Sequence, residues 1–138
     1  MRRIKITKEE YYHIYNRGVD KRNIFEKLED VSRFLESMDI FNALEPIGSL
    51  RDRVTSIKGS ISGVNRLVEF VAYCLNQNHY HFILRSLGDD GLQKFMHRLS
   101  TGYTMYFNEK HKRSGSLFQG RYKAVHIETN EYLLHLSA

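Results

Sequence analysis

The chain has 138 residues, enough for one domain with a core of its own and too few for two domains of ordinary size. Hydrophobic residues make up 41% of it and charged residues 27%, and no run approaches the roughly 18 apolar residues of a membrane-spanning helix. The formal net charge of +5 suits a polyanionic partner, although many basic proteins bind no polyanion.

The cellular compartment is indicated by the N-terminus and by the cysteine content. The first residues carry positive charge but no apolar segment of the kind that a secretion signal needs. The single cysteine, Cys74, excludes an internal disulfide framework and is typical of a reducing compartment. We therefore expect a cytoplasmic protein without a membrane partner.

The first half of the chain predicts a strand, a helix and a long connection. Residues 10–16 are aromatic and β-branched and lead into a turn at Gly18, which predicts the strand. After Asp30, a candidate N-cap, apolar residues recur at helical spacing. Residues 46–65 contain the only proline of the chain, three glycines and several serines, and this composition predicts a flexible connection.

The second half predicts a hairpin, a long helix, another strand and a final helix. A nearly continuous apolar run indicates a buried strand, a polar triplet indicates its turn, and apolar residues at helical spacing indicate the long helix. The predicted elements are a buried strand over Leu67–Leu75, a turn at 76–78, a strand over Tyr80–Leu84, a helix over Gly91–Lys110, an alternating strand over Leu117–Ile127 and a helix that begins at Thr129.

The order β-α-β-β-α-β-α begins as the split β-α-β arrangement of ferredoxin-like folds. We expect a single α+β domain over residues 1–138, with an antiparallel sheet, helices on one face of it and a C-terminal helix. The two hairpin strands would be central in such a sheet.

The hairpin carries the first candidate site, because His79 and His81 lie two residues apart in a predicted strand. Successive side chains of a strand point to opposite faces, so the two imidazoles share one face. Two neutral imidazoles and one further ligand can hold a divalent ion that polarises a phosphate. The alternative is an ordinary pair, with one histidine hydrogen-bonded toward the core and the other exposed.

Basic residues in two segments are candidates for contact with nucleic acid. Single strands are bound by basic side chains that follow the phosphates and by aromatic rings that stack on unpaired bases. Gln119 and Arg121 could also read base edges. The alternative for each residue is a solvated basic loop. The candidates are Arg17, Lys21 and Arg22 after the first strand, and Lys112, Arg113, Phe118, Gln119, Arg121 and Lys123 around Gly115.

The remaining histidines and the tyrosines of the long helix are assigned no function at this point. Tyr103 and Tyr106 fall on the apolar stripe of that helix and are interpreted as core residues. The histidines interpreted as structural or exposed are His13, His97, His126 and His135.

Four segments, in order along the chain, carry a family resemblance. They are Tyr12–Gly18 with Arg22 and Phe25, the hairpin Leu75–Phe82, the residues 106–108 with 113–115 and 117–123, and the start of the last helix at 131–134. Together they resemble the single-tyrosine HUH transposases, especially the REP-associated tyrosine transposases. That branch has a hairpin turn followed by histidine-hydrophobe-histidine; here Gln77 replaces its usual proline and Tyr80 takes the middle position. The resemblance covers nearly the whole chain except residues 46–65.

The resemblance implies a nuclease of hairpin-containing single-stranded DNA that takes part in DNA transposition. In the family, Mg²⁺ or Mn²⁺ is held by the two histidines, here His79 and His81. A tyrosine on the last helix attacks a phosphodiester and leaves a 5′-phosphotyrosine and a free 3′-OH. A phenol has a pKa near 10, so it needs a polarised phosphate or a base to act near neutral pH. The expected location is the bacterial cytoplasm, at most in association with the nucleoid.

The resemblance does not place the nucleophilic tyrosine of the family within these 138 residues. Aligned through residues 131–134, the family tyrosine would follow directly after Ala138, and the asparagine that completes the metal ligands would lie further on. One interpretation, which the mid-helix end favours, is a chain truncated in its last helix. Another is a binding-only descendant. The third is a substitute nucleophile, for which Tyr132 is the candidate, although it lies about 10 Å early along the helix axis and its alternative role is core packing.

Two other classes of function remain open. One is a non-catalytic nucleic-acid-binding module for DNA or RNA, although an RNA-recognition sheet would carry aromatic residues where His79 and His81 stand. The other is a structural or interaction protein whose basic surface is incidental. Family members occur as monomers and as dimers, and the sequence decides neither the oligomeric state nor the recognised DNA sequence.

Overall fold

The computed structural model describes residues 5–43 and 66–128, which form one antiparallel sheet with two helices packed on one face. In chain order the elements are β1 (Tyr11–Arg17), a short 3-10 turn (Val19–Lys21), α1 (Leu28–Ile40), β2 (Val68–Asn76), β3 (His79–Ser86), α2 (Gly91–Lys110) and β4 (Lys123–Ile127). Within these described ranges, neither helix is long and apolar enough to cross a membrane.

The strand order is β2-β3-β1-β4, and every neighbouring pair is antiparallel. This is the order of a split β-α-β fold, so the predicted α+β class is confirmed. The central strands are β3 and β1. The predicted connection at 46–65 and the predicted final helix lie outside the described residues.

Alternation along the two central strands separates a core face from a site face. On β1, Tyr12 and Ile14 are buried under the helices, while the side chains between them turn to the opposite face. On β3, Tyr80 and Phe82 are buried in the same way, with Phe34 of α1 packed against both rings. The apolar stripe of α2 completes this core through Leu92, Phe95, Met96, Leu99, Tyr103 and Phe107.

Asp30 is not the N-cap of α1, as the sequence predicted, but lies inside the first turn of the helix, which begins at Leu28. Its side chain is fully buried. One carboxylate oxygen accepts the backbone N–H groups of Glu26 and Lys27 at 2.9 and 3.1 Å. The carboxylate therefore stabilises the helix start from within, by reaching back to N–H groups that precede the first turn.

The same carboxylate joins α1 to the C-terminal end of α2. Asp30 accepts the Tyr106 hydroxyl at 2.9 Å, the Lys110 ammonium at 3.1 Å and a ring nitrogen of His111 at 3.2 Å. Burial by itself would raise the pKa of Asp30, but the hydrogen bonds from Glu26, Tyr106, Lys110 and Lys27 outweigh it and lower the pKa to about 2. The ionised form is therefore the one that the fold requires.

The prediction for β2 was partly wrong. The apolar run was interpreted as a buried central strand, but β2 is an edge strand, and Val71 and Tyr73 are 40% and 55% exposed. A break in its register between Phe70 and Ala72 turns part of the run outward. An uninterrupted apolar run is typical of strands covered on both faces, but in β2 it belongs to an edge strand with exposed side chains.

The strand predicted over Leu117–Ile127 is shorter than expected. Only Lys123–Ile127 pairs in β4, while Phe118 makes an isolated antiparallel bridge with Gly18. Between them, Gly120 adopts a φ of +66°, which breaks the extended backbone. The alternation that predicted one strand therefore belongs to two separate pairings, one with Tyr11–Tyr15 of β1 and one with Gly18 just after β1.

We expect Asp30→Asn to lower the free energy of unfolding at pH 7 by roughly 2 kcal/mol, because a pKa lowered by nearly two units represents about that much stabilisation of the ionised form. A carboxyl whose folded pKa is depressed contributes stability above its ordinary pKa of 3.8 and loses it as the pH falls to about 2. The difference in urea unfolding between the wild type and the variant should therefore stay constant from pH 7 to about 5 and disappear as the pH falls from about 4 to about 2.

The matched control is Asp39→Asn, since Asp39 is half exposed and pairs with Arg66 at 3.1 Å. An exposed pair of this kind contributes less than about 1 kcal/mol. Equal losses for the two variants would contradict the assigned role of Asp30.

Candidate active site

The predicted histidine pair lies on the site face of the central strand β3. His79 pairs with Arg17 and His81 with Tyr15 across the β1–β3 ladder. The two imidazole rings are perpendicular to each other, with centroids 5.1 Å apart. The pair therefore faces away from α1 and α2, and the alternative with one histidine turned into the core does not hold.

Asn76 at the end of β2 and Asn78 in the β2–β3 turn select the tautomer of the His79 ring. Asn78 Oδ1 lies 2.7 Å from His79 Nδ1 and can only accept, so Nδ1 carries the proton. The other nitrogen, Nε2, lies 3.1 Å from the amide Nδ2 of Asn76, which donates to it. His79 is thus held as the tautomer with an unprotonated Nε2, which accepts from Asn76 and could bind a metal ion only in exchange for that hydrogen bond.

His81 is held from β1 by a third histidine. His13 Nε2 and His81 Nδ1 lie 3.0 Å apart, and the two rings stack with centroids 5.2 Å apart. Tyr15 stacks against His81 at 5.7 Å from the same strand. The ring of His81 is therefore fixed by two aromatic neighbours and one hydrogen bond.

Burial keeps these imidazoles neutral. It lowers the pKa of His13, and it lowers the pKa of His81 with a further contribution from the positive charge that His13 and His79 would carry. Since the ordinary value is 6.5, both rings are mainly uncharged at pH 7. A neutral ring retains a lone pair for a hydrogen bond or for a metal.

A cavity of about 430 Å³ opens beside the histidine pair. The described residues that line it include two with positive charge, Arg17 and Lys123, and none with negative charge. Its described lining consists of Tyr15, Asn16, Arg17, His79, His81, Gln119 and Lys123. An anionic ligand would therefore meet favourable charge next to the imidazoles.

Three loops form one continuous rim around this end of the sheet. Gly18 N–H donates to the carbonyl of Asn78 at 2.9 Å, and Val19 N–H donates to the carbonyl of Leu117 at 2.8 Å. Gln119 N–H returns to the carbonyl of Arg17 at 2.8 Å. The two basic segments that the sequence predicted separately are therefore joined in space, with the histidine turn beside them.

The predicted nucleic-acid contacts divide into three groups. Those in the cavity are Arg17, Gln119 and Lys123, and those exposed on the rim are Lys21, Lys112 and Arg121. Arg22 and Arg113 make internal contacts instead: Arg22 covers the ring of Phe107 and reaches Glu26, and Arg113 bonds to Asn108 and Ser116.

Phe118 does not stand where a base could stack on it. Its side chain is 5% exposed and packs edge-to-face on Tyr80.

Gln119 has a fixed orientation, because its Oε1 accepts the backbone N–H of Asp20 at 3.0 Å. Its amide NH₂ is then the group left for a ligand. Tyr132 lies outside the described residues.

His13 and Tyr15 are the site residues that the sequence did not single out. Both follow the alternation of β1 that also places Arg17 on the site face, so the signal was present. What the sequence lacked was the strand order, which sets β1 directly beside β3.

The described residues fit a divalent metal ion in part. They contain no group of three histidine, cysteine, aspartate or glutamate side chains arranged to hold one. They do offer the unprotonated Nε2 of His79, at present hydrogen-bonded to Asn76, beside the neutral ring of His81, and imidazole nitrogens bind divalent ions. Two of the ligands can therefore come from β3, and the others must come from a phosphate, from water or from other parts of the chain.

Comparison with known proteins agrees with this fold. The family model of IS200-like transposases matches residues 46–137, about two thirds of the chain. The chain belongs to the IS200-like transposase family, whose members use a divalent metal ion. No curated protein sequence matches it.

Two solved structures share the fold. One is a REP-associated tyrosine transposase bound to a REP hairpin, with a TM-score of 0.64 and 13% identity over 99% of this chain and 67% of that chain. The other is a candidate transposase from Deinococcus radiodurans R1, with a TM-score of 0.50 and 13% identity over 99% of this chain and 91% of that one. At this identity the likeness concerns the fold.

We expect His13 and His81 to titrate below the ordinary value of 6.5 in a metal-free NMR titration of ¹⁵N-labelled histidine, with the urea-unfolded chain as reference. A base whose folded pKa is lowered binds its proton first in the unfolded state, so the fold loses stability as the pH falls below about 6.5. If His81 titrates at or above the histidines of the unfolded chain, the burial assigned to it is wrong.

Proposed function

We propose that this chain binds hairpin-containing single-stranded DNA, and that its family reaction is to cut and rejoin that DNA by metal-assisted tyrosine transesterification. The observation that carries the proposal is the pair His79 and His81 on a central strand, directly beside a cavity whose described lining contains basic but no acidic side chains. The metal would be Mg²⁺ or Mn²⁺, and His79 and His81 are its proposed ligands.

The first part of the proposal is recognition of DNA. Arg17 and Lys123 lie in the cavity and would neutralise phosphates on either side of the cut. The exposed rim residues Lys21, Lys112 and Arg121 would follow the backbone further away. The solved transposase with this fold is bound to a REP hairpin, which supports a hairpin as the ligand here too.

Unpaired bases near the cut have a stacking partner in Tyr15, whose ring lines the cavity beside His81. The amide NH₂ of Gln119 is directed to ligands because its oxygen is engaged by Asp20. It would donate to an acceptor on a base edge or on a phosphate. Phe118 is not proposed as a stacking partner for a base, because its side chain is buried.

The second part of the proposal is the chemistry. A phenolic oxygen forms a bond to phosphorus, the bond from phosphorus to the 3′ oxygen breaks, and the phenol proton is passed on so that the leaving group becomes a free 3′-OH. The ion would polarise the phosphate and stabilise the charge that develops on it. The chain's own contribution is to keep His81 neutral and to hold both imidazoles in a fixed orientation next to the cationic side chains of the cavity.

We expect the double variant Arg17→Ala/Lys123→Ala to bind a hairpin-bearing single-stranded oligonucleotide at least about 10-fold more weakly, with a salt slope smaller by about 1 to 2, since two phosphate contacts are lost. The measurement is a salt series in EDTA. Lys94→Ala is the matched control, because Lys94 is exposed on α2 and pairs with Asp90 at 3.5 Å. Salt-independent binding, or equal losses in both variants, would contradict the proposal.

The variant His79→Ala distinguishes a metal-dependent enzyme from a non-catalytic nucleic-acid-binding module. In EDTA it should bind the same oligonucleotide as tightly as the wild type, because the basic rim is untouched. With Mn²⁺, it should lose most of the metal affinity of the wild type, measured by calorimetry. A chain that binds DNA but binds no Mn²⁺ before mutation would favour the non-catalytic module.

For the nucleophile, we propose the tyrosine that the family resemblance at residues 131–134 puts directly after residue 138. Residues 1–138 with Mn²⁺ and hairpin oligonucleotides should then give salt-dependent complexes on a native gel and no covalent complex on a denaturing gel. A protease-sensitive covalent band would overturn this assignment. Loss of that band in Tyr132→Phe would then identify Tyr132 as the nucleophile.

A further inference from the structure

The function proposed so far assigns no role to the hydrogen bond between His13 and His81. His13 comes from β1, ahead of the residues that the family model matches, and its Nε2 lies 3.0 Å from Nδ1 of His81. Its ring stacks on His81 with an angle of 20° between the two planes. Tyr15 closes this group, with its ring 5.1 Å from His13 and 5.7 Å from His81.

His13 is not arranged as a third metal ligand. The parts of the chain that the structure describes contain no set of three potential ligands around one point. The Nε2 atom of His13 is moreover directed at His81 and not into a space that His79 and His81 share. The contribution of His13 must therefore pass through His81.

His79 indicates what that contribution is. Asn78 Oδ1 accepts the Nδ1 proton of His79 and so leaves the lone pair on Nε2. We propose that His13 does the same for His81: Nε2 of His13 accepts the Nδ1 proton of His81 and so keeps the Nε2 lone pair of His81 available to a divalent metal ion. His13 is then a positioning residue, and the inference rests on the metal of the proposed function.

The opposite arrangement would disable the site. If His13 donated from Nε2, the Nδ1 of His81 would accept and its Nε2 would carry the proton, so that His81 could not bind a metal through Nε2. The cross-strand neighbours of His13 are Ile83 and Val125, which cannot compete for the hydrogen bond. Hydrogen-bond partners of metal-binding histidines typically contribute a factor of about 10 to 100 in metal affinity.

Two readouts on the 138-residue chain test the inference. The first is the ¹⁵N spectrum of the metal-free protein at pH 7.5, in which His81 should be protonated at Nδ1 and unprotonated at Nε2. The second is the Mn²⁺ concentration that broadens the His79 and His81 signals. We expect His13→Ala to give mixed tautomers of His81 and to need at least about 10-fold more Mn²⁺.

His13→Gln is the conservative variant, because its amide oxygen can accept the same proton from His81, and it should stay within about 3-fold of the wild type. His126→Ala is the control for loss of a β4 histidine outside the site; it is hydrogen-bonded to Glu10 at 3.0 Å and should behave as the wild type. Circular dichroism verifies that each variant folds.

The outcomes separate this inference from the proposed function. Equal Mn²⁺ requirements for the wild type and His13→Ala, or a wild-type His81 protonated at Nε2, would overturn the role of His13 and leave the function intact. A wild type that binds no Mn²⁺ would overturn the metal in the proposed function and the role of His13 with it. Loss in His13→Ala together with recovery in His13→Gln supports the inference.

Discussion

The antiparallel pairing of β1 with β3 is the constraint on which the candidate site depends. Its register sets Tyr15 opposite His81 and Arg17 opposite His79, so that phenol, guanidinium and imidazoles share one face. A shift of one residue in β3 would carry both histidines into the core and expose Tyr80. The buried aromatic and aliphatic side chains on the other face oppose that shift, since each contributes about 2 kcal/mol through burial.

The rim around the cavity depends on a second constraint, the close approach of backbone at Gly18. A Cβ atom there would lie 2.1 Å from the carbonyl oxygen of Arg22, so no other residue fits without movement of the turn. The turn that follows places Asp20 and Lys21 at positive φ, a conformation that residues other than glycine seldom adopt. Its hydrogen bonds to the Asn78 turn and to the loop before β4 hold it there, which explains why two basic segments 100 residues apart form one surface.

The sequence predicted what local periodicity encodes. The helix Gly91–Lys110 was confirmed to the residue, and the shared face of His79 and His81 followed from the two-residue period of a strand. The strand order is set by pairing between distant segments, which no local pattern records, so His13 was assigned no role and β2 was placed in the centre of the sheet. Asp30 was misjudged for a similar reason, because its partners Tyr106 and Lys110 are 76 and 80 residues away.

Under the proposed function, the site separates the attraction of DNA from the binding of metal. Arg17 and Lys123 supply positive charge in the cavity, while burial lowers the pKa of His13 and His81 and so keeps both rings neutral. A histidine that attracted phosphate by becoming protonated would lose the lone pair that a metal needs. Fixed cations beside neutral imidazoles avoid that conflict. The hydrogen bonds to Asn78 and His13 then matter because a neutral imidazole has two tautomers, and only one of them has its lone pair on Nε2.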